Sequence, residues 1–228
     1  MFVVRVAGAE DLHDDSFLLL AFVVSCSRTM ASTVLLFLSF LCAVHAACDN
    51  ALPRPDYHEK AKTARWMVHS IDYGVLSTLS SDGAPFGNVY SFVDGPCNDS
   101  TGTPYFFGTY MDQSFQDTLE NPTISLTLTE ASLPGEPQCY LTDSSIGDAE
   151  NPVCARLTLT GQFSVIDTDS HEYVAIKQAF LERHPQMKYW PADHHWIVAK
   201  MEIQKLWLID FFGGATILTV DEYYAASV

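Results

Sequence analysis

The chain has 228 residues, 48% of them hydrophobic and 12% aromatic, enough to bury a core and to predict one main domain. Against 12 Lys and Arg stand 28 Asp and Glu, a formal net charge of −16. A surface this acidic repels phosphate backbones and anionic lipid, which excludes nucleic-acid binding and membrane adhesion through phosphate contacts.

The N-terminus reads as a targeting segment. MASTVLLFLSFLCAVHAAC, from Met30, carries an apolar run from Val34 to Val44 and ends in small residues, the form of a signal peptide cleaved after Ala46. Ahead of it lie an acidic EDLHDD and a second apolar patch, FLLLAFVVSC, so Met30 reads as the initiator and residues 1–29 as an extension. An uncleaved anchor is the alternative. Residues 1–46 are therefore set apart from a folded domain at 47–228, which is expected to be secreted and, once mature, free of the membrane.

Cys48, Cys97, Cys139 and Cys154 remain in that domain, and four cysteines allow three pairings. A bridge between Cys139 and Cys154 would staple the base of a polar loop; one between Cys48 and Cys97 would tie down the N-terminal arm. Neither CxxC nor CxxH occurs among them, so they read as disulfides and not as a zinc site. Asn98, in NDS, is the one N-glycosylation sequon.

PDYHEKAKTARWMVHSI opens at Pro55 and places Tyr57, Ala61, Ala64, Val68 and Ile71 on one stripe, predicting an amphipathic helix. GVLSTLS and FGNVYSFVD around SDGAP predict a hairpin. TPYFFGT and TISLTLTE read as strands separated by a short helix in DQSFQDTLENP, and CARLTLTGQFSVI as a long strand. Asp169 with Glu172 predicts a capping box for a helix that runs to about Arg183 and stops at Pro185. HWIVAKMEIQKLWLIDFF has strand character with a bend near Gln204, and the FGG after it predicts a turn of positive φ. Six or seven strands in consecutive antiparallel runs predict a mainly β (α+β) domain, a closed or split barrel with peripheral helices.

VHSIDYGVLSTLSSDGAPFGNVYSFVDG, GTPYFF, NPTISLTLTE and FLERHPQMKYWPADHHWIVAKMEIQKLWLIDFFGGATILTVDEYY resemble the CREG family of secreted glycoproteins, from about Ala64 to Tyr224. The resemblance implies a six-stranded antiparallel split β-barrel of the FMN-binding type that pyridoxamine 5'-phosphate oxidases share. It also implies a homodimer formed through the barrel face and passage along the secretory and endolysosomal route. A glycan on Asn98 would then offer a handle to a lectin-type or mannose-6-phosphate receptor.

HPQMKYWPADHHWIVAK holds three histidines and two tryptophans. Adjacent in a strand, His194 and His195 would face opposite sides, and His184 sits at a helix end, so no metal site is expected. With no nucleophile motif in reach, no catalytic residue is expected either. From Trp66 to Ala155 the sequence holds twelve acids and not one Lys or Arg, whereas flavin-binding relatives hold the phosphate with cations on these strands. Asn88, Tyr90 and Ser91 offer neutral hydrogen bonds; Arg156, Lys200 or Lys205 would have to reach in from later strands. Trp190 and His194 complete the candidate pocket lining. The expectation is a non-catalytic binding or regulatory homodimer with no cofactor, the segment Glu130–Cys154 plugging the old site. The alternative is an FMN-dependent oxidoreductase.

Overall fold

The computed structural model describes residues 52–133 and 148–228. The extension and signal at 1–46, Cys48, Cys139 and most of the expected plug lie outside the described residues.

The first helix, α1 (Lys60–Ser70), starts later than Pro55. Asp56 closes a turn of its own, its carboxylate accepting from His58 N at 2.9 Å and its carbonyl from Glu59 N at 2.8 Å. Tyr57 therefore stands outside the helix and stacks on Phe211 at 4.4 Å. All residues from Thr63 to Ser70 are buried, so the second half of α1 is enclosed and not amphipathic.

The strands are β1 (Tyr73–Leu79), β2 (Pro85–Val93), β3 (Tyr105–Gly108), β4 (Thr123–Thr129), β5 (Arg156–Val165), β6 (Ile197–Ile209) and β7 (Thr216–Leu218). β1 and β2 form the expected hairpin, in register from Tyr73↔Ser91 to Leu79↔Pro85. Every pairing is antiparallel, in the order β3-β2-β1-β4-β5-β6-β7, and β3 also pairs with β6. That last pairing closes a six-stranded barrel and leaves β7 as an extra strand on β6. The split barrel expected from the sequence is the observed fold.

β4 and β5 alternate as their sequences predict, sending Ile124, Leu126, Leu157 and Leu159 inward. They meet Phe92, Phe106, Phe115 and Leu206 in the barrel core; each such side chain removed from water contributes about 1.5–3 kcal/mol. β3 is buried on both faces. Its Phe106 points into the barrel core, while Tyr105 and Phe107 join Phe180 and Ile176 of α3 (His171–Arg183) in a second cluster. The N-cap of α3 is Ser170, which accepts from Tyr173 N, and not an Asp169–Glu172 box. Asp169 is drawn into the preceding turn, its N–H donating to Asp167, and Glu172 turns to Lys200.

β6 bends as predicted. Thr160 pairs with Lys205 but Gly161 with Ile203, so Gln204 is the extra residue of a β-bulge. In the turn after it, Gly213 (φ 112°) and Gly214 (φ 104°) occupy the positive-φ region expected for FGG. The helices α2 (Gln113–Glu120) and α4 (Val220–Ala225) complete the domain. No described helix is long and apolar enough to cross a membrane. Cys97 and Cys154 are each disulfide-bonded.

Candidate functional site

A groove of about 410 Å³ opens where β2, the end of β3 and the approach to β6 converge. Asn88, Tyr90 and Ser91 of β2 form one wall. Phe107, Gly108 and Thr109 form the floor, and Met187, Trp190 and Trp196 the opposite side. Gly108 is required there: a Cβ at this position would stand 2.5 Å from the Phe115 ring.

Three rings layer along the groove. Phe107 lies 6.1 Å from Trp190 at 10° and 5.4 Å from Trp196 at 25°, and the two indoles are 4.7 Å apart. The connection that carries them is pinned, not extended. Trp196 Nε1–H donates to the Pro191 carbonyl and Thr109 Oγ1–H to the His194 carbonyl, each at 2.6 Å. His194 closes a 3-10 turn (Ala192–His194), and His195 follows in the left-handed region at φ 53°. The strand geometry expected for these two histidines is thus replaced by a turn, because Pro191 and the αL residue break the extended run. Among the described residues no group of three or more His, Cys, Asp or Glu gathers as a metal site.

Asp112 is the acidic side chain of the lining. As N-cap of α2 it accepts from Ser114 N at 2.8 Å, and its second oxygen accepts from Asn88 Nδ2 at 3.3 Å. Burial, then the hydrogen bond to Asp112, pushes the Tyr90 phenol far above its ordinary range, so Tyr90 stays a neutral donor. Among the described residues no Lys, Arg or His lies within ion-pair distance of Asp112.

Of the residues singled out in the sequence, Asn88, Tyr90, Ser91 and Trp190 come together here. His194 stacks behind, 5.5 Å from Trp196. Arg156, Lys200 and Lys205, which would have to reach in from later strands, are not among the lining residues. Arg156 donates to the Glu150 carbonyl at 3.0 Å, at the far end of β5, and Lys200 pairs with Glu172 at 3.1 Å over α3. Lys205 lies beside the β6 bulge. A backbone carbonyl thus engages Arg156 and an acid on α3 engages Lys200, and neither side chain lines the groove. Sequence reasoning missed Asp112, Phe107, Thr109 and Met187. Asp112 was detectable as a capping residue ahead of Gln113 and Ser114.

A polar network lies beneath the sequon. Asp94, 1% exposed, accepts from Ser100 Oγ–H, lies 3.1 Å from His69 Nδ1 and 3.7 Å from Arg183 Nη1. Arg65 donates to the Ser100 carbonyl and hydroxyl at 3.0 and 3.1 Å. Asn98 itself is exposed.

A family model for the CREG β-barrel matches residues 55–225. Protein CREG1 of Gallus gallus is 37% identical over 198 residues, covering 83% of this chain and 98% of that protein. Human CREG1 is 35% identical over 180 residues, 77% of this chain and 78% of the relative. Human CREG2 is 39% identical over 171 residues, but the match spans only 56% of CREG2. Among solved structures, a heme binding protein from Mycobacterium smegmatis superposes with a TM-score of 0.58 at 21% identity, covering 77% of this chain and 62% of that one. ChuZ from Campylobacter jejuni gives 0.56 at 16% identity, with 74% and 62% covered. At such identities these two neighbours show the fold alone.

Proposed function

We propose a non-catalytic role for this chain, which belongs to the CREG family: a secreted glycoprotein that acts as a binding or regulatory homodimer on a barrel whose flavin site has degenerated. The observation that carries the reading is the charge of the groove. A flavin phosphate is a dianion and needs cations or a free helix N-terminus. The lining holds neither, since Asp112 already occupies the N-terminus of α2 with its own carboxylate. FMN does not fit these residues, and no flavin chemistry is assigned to them.

Homodimer formation is supported by the outer wall. Val89, Val75, Thr127, Thr158, Trp207 and Ile217 are successive cross-strand neighbours from β2 to β7. This row is uncharged and outward-facing, with Val89 65% and Ile217 70% exposed. A band of that kind suits a self-complementary, two-fold contact. Passage through the secretory route and into the endolysosomal lumen is supported by the signal-like segment at residues 30–46, the disulfide-bonded Cys97 and Cys154, and the exposed Asn98. A glycan there would present the chain to a lectin-type or mannose-6-phosphate receptor. Pairing of Cys48 with Cys97 and Cys139 with Cys154 is part of the same proposal.

Calorimetric titration of the secreted mature chain with FMN tests the central point. The expected result is a colourless protein that takes up no flavin. Tight binding of one FMN per protomer overturns the reading in favour of a flavin-dependent oxidoreductase.

A further inference from the structure

The groove that rejects a dianion has the chemistry to accept the opposite charge. We infer that it binds a small organic cation, an ammonium or quaternary ammonium group with an apolar body, held between the Trp190–Trp196–Phe107 rings and the carboxylate of Asp112.

Four features of the lining converge on that class. Aromatic π-faces attract cations, indoles most strongly, and the attraction grows when water is partly excluded. Trp190 keeps 39% of its surface exposed at the groove, so its ring is not spent on packing alone. The carboxylate of Asp112 is held in place by neutral donors, the Ser114 amide and the Asn88 amide, and has no cationic partner among the described residues. A fixed negative charge beside aromatic rings is the arrangement that recognises an organic cation, because one group supplies the Coulomb attraction and the other replaces water around the apolar substituents. The Tyr90 hydroxyl remains protonated, so it adds no second charge that would call for a divalent ion.

The volume sets the size. About 410 Å³ falls within the range of small-molecule sites and holds a head group with a few carbons. Met187 gives that body an apolar contact, while Ser91 and Thr109 offer neutral hydrogen bonds. The inference does not depend on dimer formation. The test below separates its failure from failure of the non-catalytic reading, since loss of cation binding leaves the flavin titration unchanged.

The probe is choline, compared with 3,3-dimethylbutan-1-ol, in which carbon replaces the charged nitrogen at equal shape; binding to the full secreted chain is followed by ligand-observed NMR titration. Choline is expected to saturate one site and the neutral alcohol to bind about tenfold more weakly or worse, the order of a lost cation–π and charge contact. Asp112→Asn keeps a good helix cap and removes only the charge. It is expected to retain the melting temperature and lose choline affinity by about tenfold or more. Trp190→Leu keeps apolar bulk without the indole and is expected to weaken choline by a similar factor. Equal affinity for the two ligands, wild-type affinity in D112N, or no saturable binding of choline would each overturn the inference.

Discussion

The hydroxyl of Ser100 donates to the buried carboxylate of Asp94. Ser100 is also the third residue of the sequon that begins at the exposed Asn98. On the proposed glycosylation one hydroxyl would therefore serve twice: as part of the acceptor sequon, and afterwards in a buried network that joins α1 to the loop after β2. Asn98→Gln is expected to remove a glycan and leave the melting temperature unchanged. Ser100→Ala is expected to remove the glycan and cost about 1–3 kcal/mol besides, the penalty of leaving Asp94 and Arg65 short of a partner. Ser100→Thr should restore both, as read by intact mass and thermal melting.

The N-terminal arm and the first turn of α1 clasp two buried acids. Arg54 Nε pairs with Glu130 at 2.9 Å, and Lys60 with Asp210 at 2.5 Å; Glu130 is 1% and Asp210 2% exposed. Glu130 also accepts from Ala155 N, yet desolvation outweighs these contacts and raises its carboxyl above the ordinary range. Arg54→Ala is expected to destabilise by about 3–5 kcal/mol, because it leaves a buried charge uncompensated. Adding Glu130→Gln should recover much of that loss in denaturant melts. No recovery would show that the arm acts through packing and not through charge.

Gly108 tolerates no side chain. Gly108→Ala would drive a methyl into Phe115, and the overpacked core is expected to lose about 1–3 kcal/mol. The same variant narrows the floor of the groove, so ligand-observed NMR should report weaker cation uptake alongside the lower melting point.

His184 makes stability pH-dependent. Burial lowers its imidazole below the ordinary value, against the opposing contact with the Phe92 carbonyl at 3.2 Å. The unfolded chain thus takes up the proton first as pH falls. The stabilising contribution is complete above the unfolded value, about 6.5, and is lost as pH drops below it. His184→Gln, which keeps a donor for Phe92 without titrating, should flatten the melting curve between pH 6.5 and the depressed folded value. An unchanged difference between the two proteins across that range would refute this assignment.

The uncharged band predicts where self-association fails. Val75 lies between Val89 and Thr127 in the row. Val75→Glu would bury a charge from each copy in the proposed contact band, and sedimentation velocity is expected to show monomer where the unaltered chain shows dimer. A dimer that survives would place the contact elsewhere.

Much of the fold was legible before the structure because it rests on short-range pattern. β1, β2, β4 and β5 follow period-two alternation, and Pro185 does end α3. The errors were local competitions. Asp56 spends its hydrogen bonds on a separate turn and delays α1; Ser170 outcompetes the Asp169–Glu172 pair for the cap; an αL residue at His195 turns an apparent strand into a corner. In each case a hydrogen bond or backbone conformation a residue or two away outcompeted the pattern read from spacing.

The sequence by itself determined the alternating faces, the β-rich antiparallel character and the acidic stretch from Trp66 to Ala155 without Lys or Arg. These depend on residue type and spacing alone. Only the tertiary structure decided which residues share the groove. Asp112 meets Asn88 across 24 residues because β3 folds back on β2, and Thr109 meets His194 across 85 because β3 pairs with β6 and closes the barrel. Lys200 meets Glu172 across 28 residues, again a contact that spacing alone does not state. Periodicity states which face a side chain takes; the register of long-range strand pairing states what it will touch, and that register is set by the whole barrel at once.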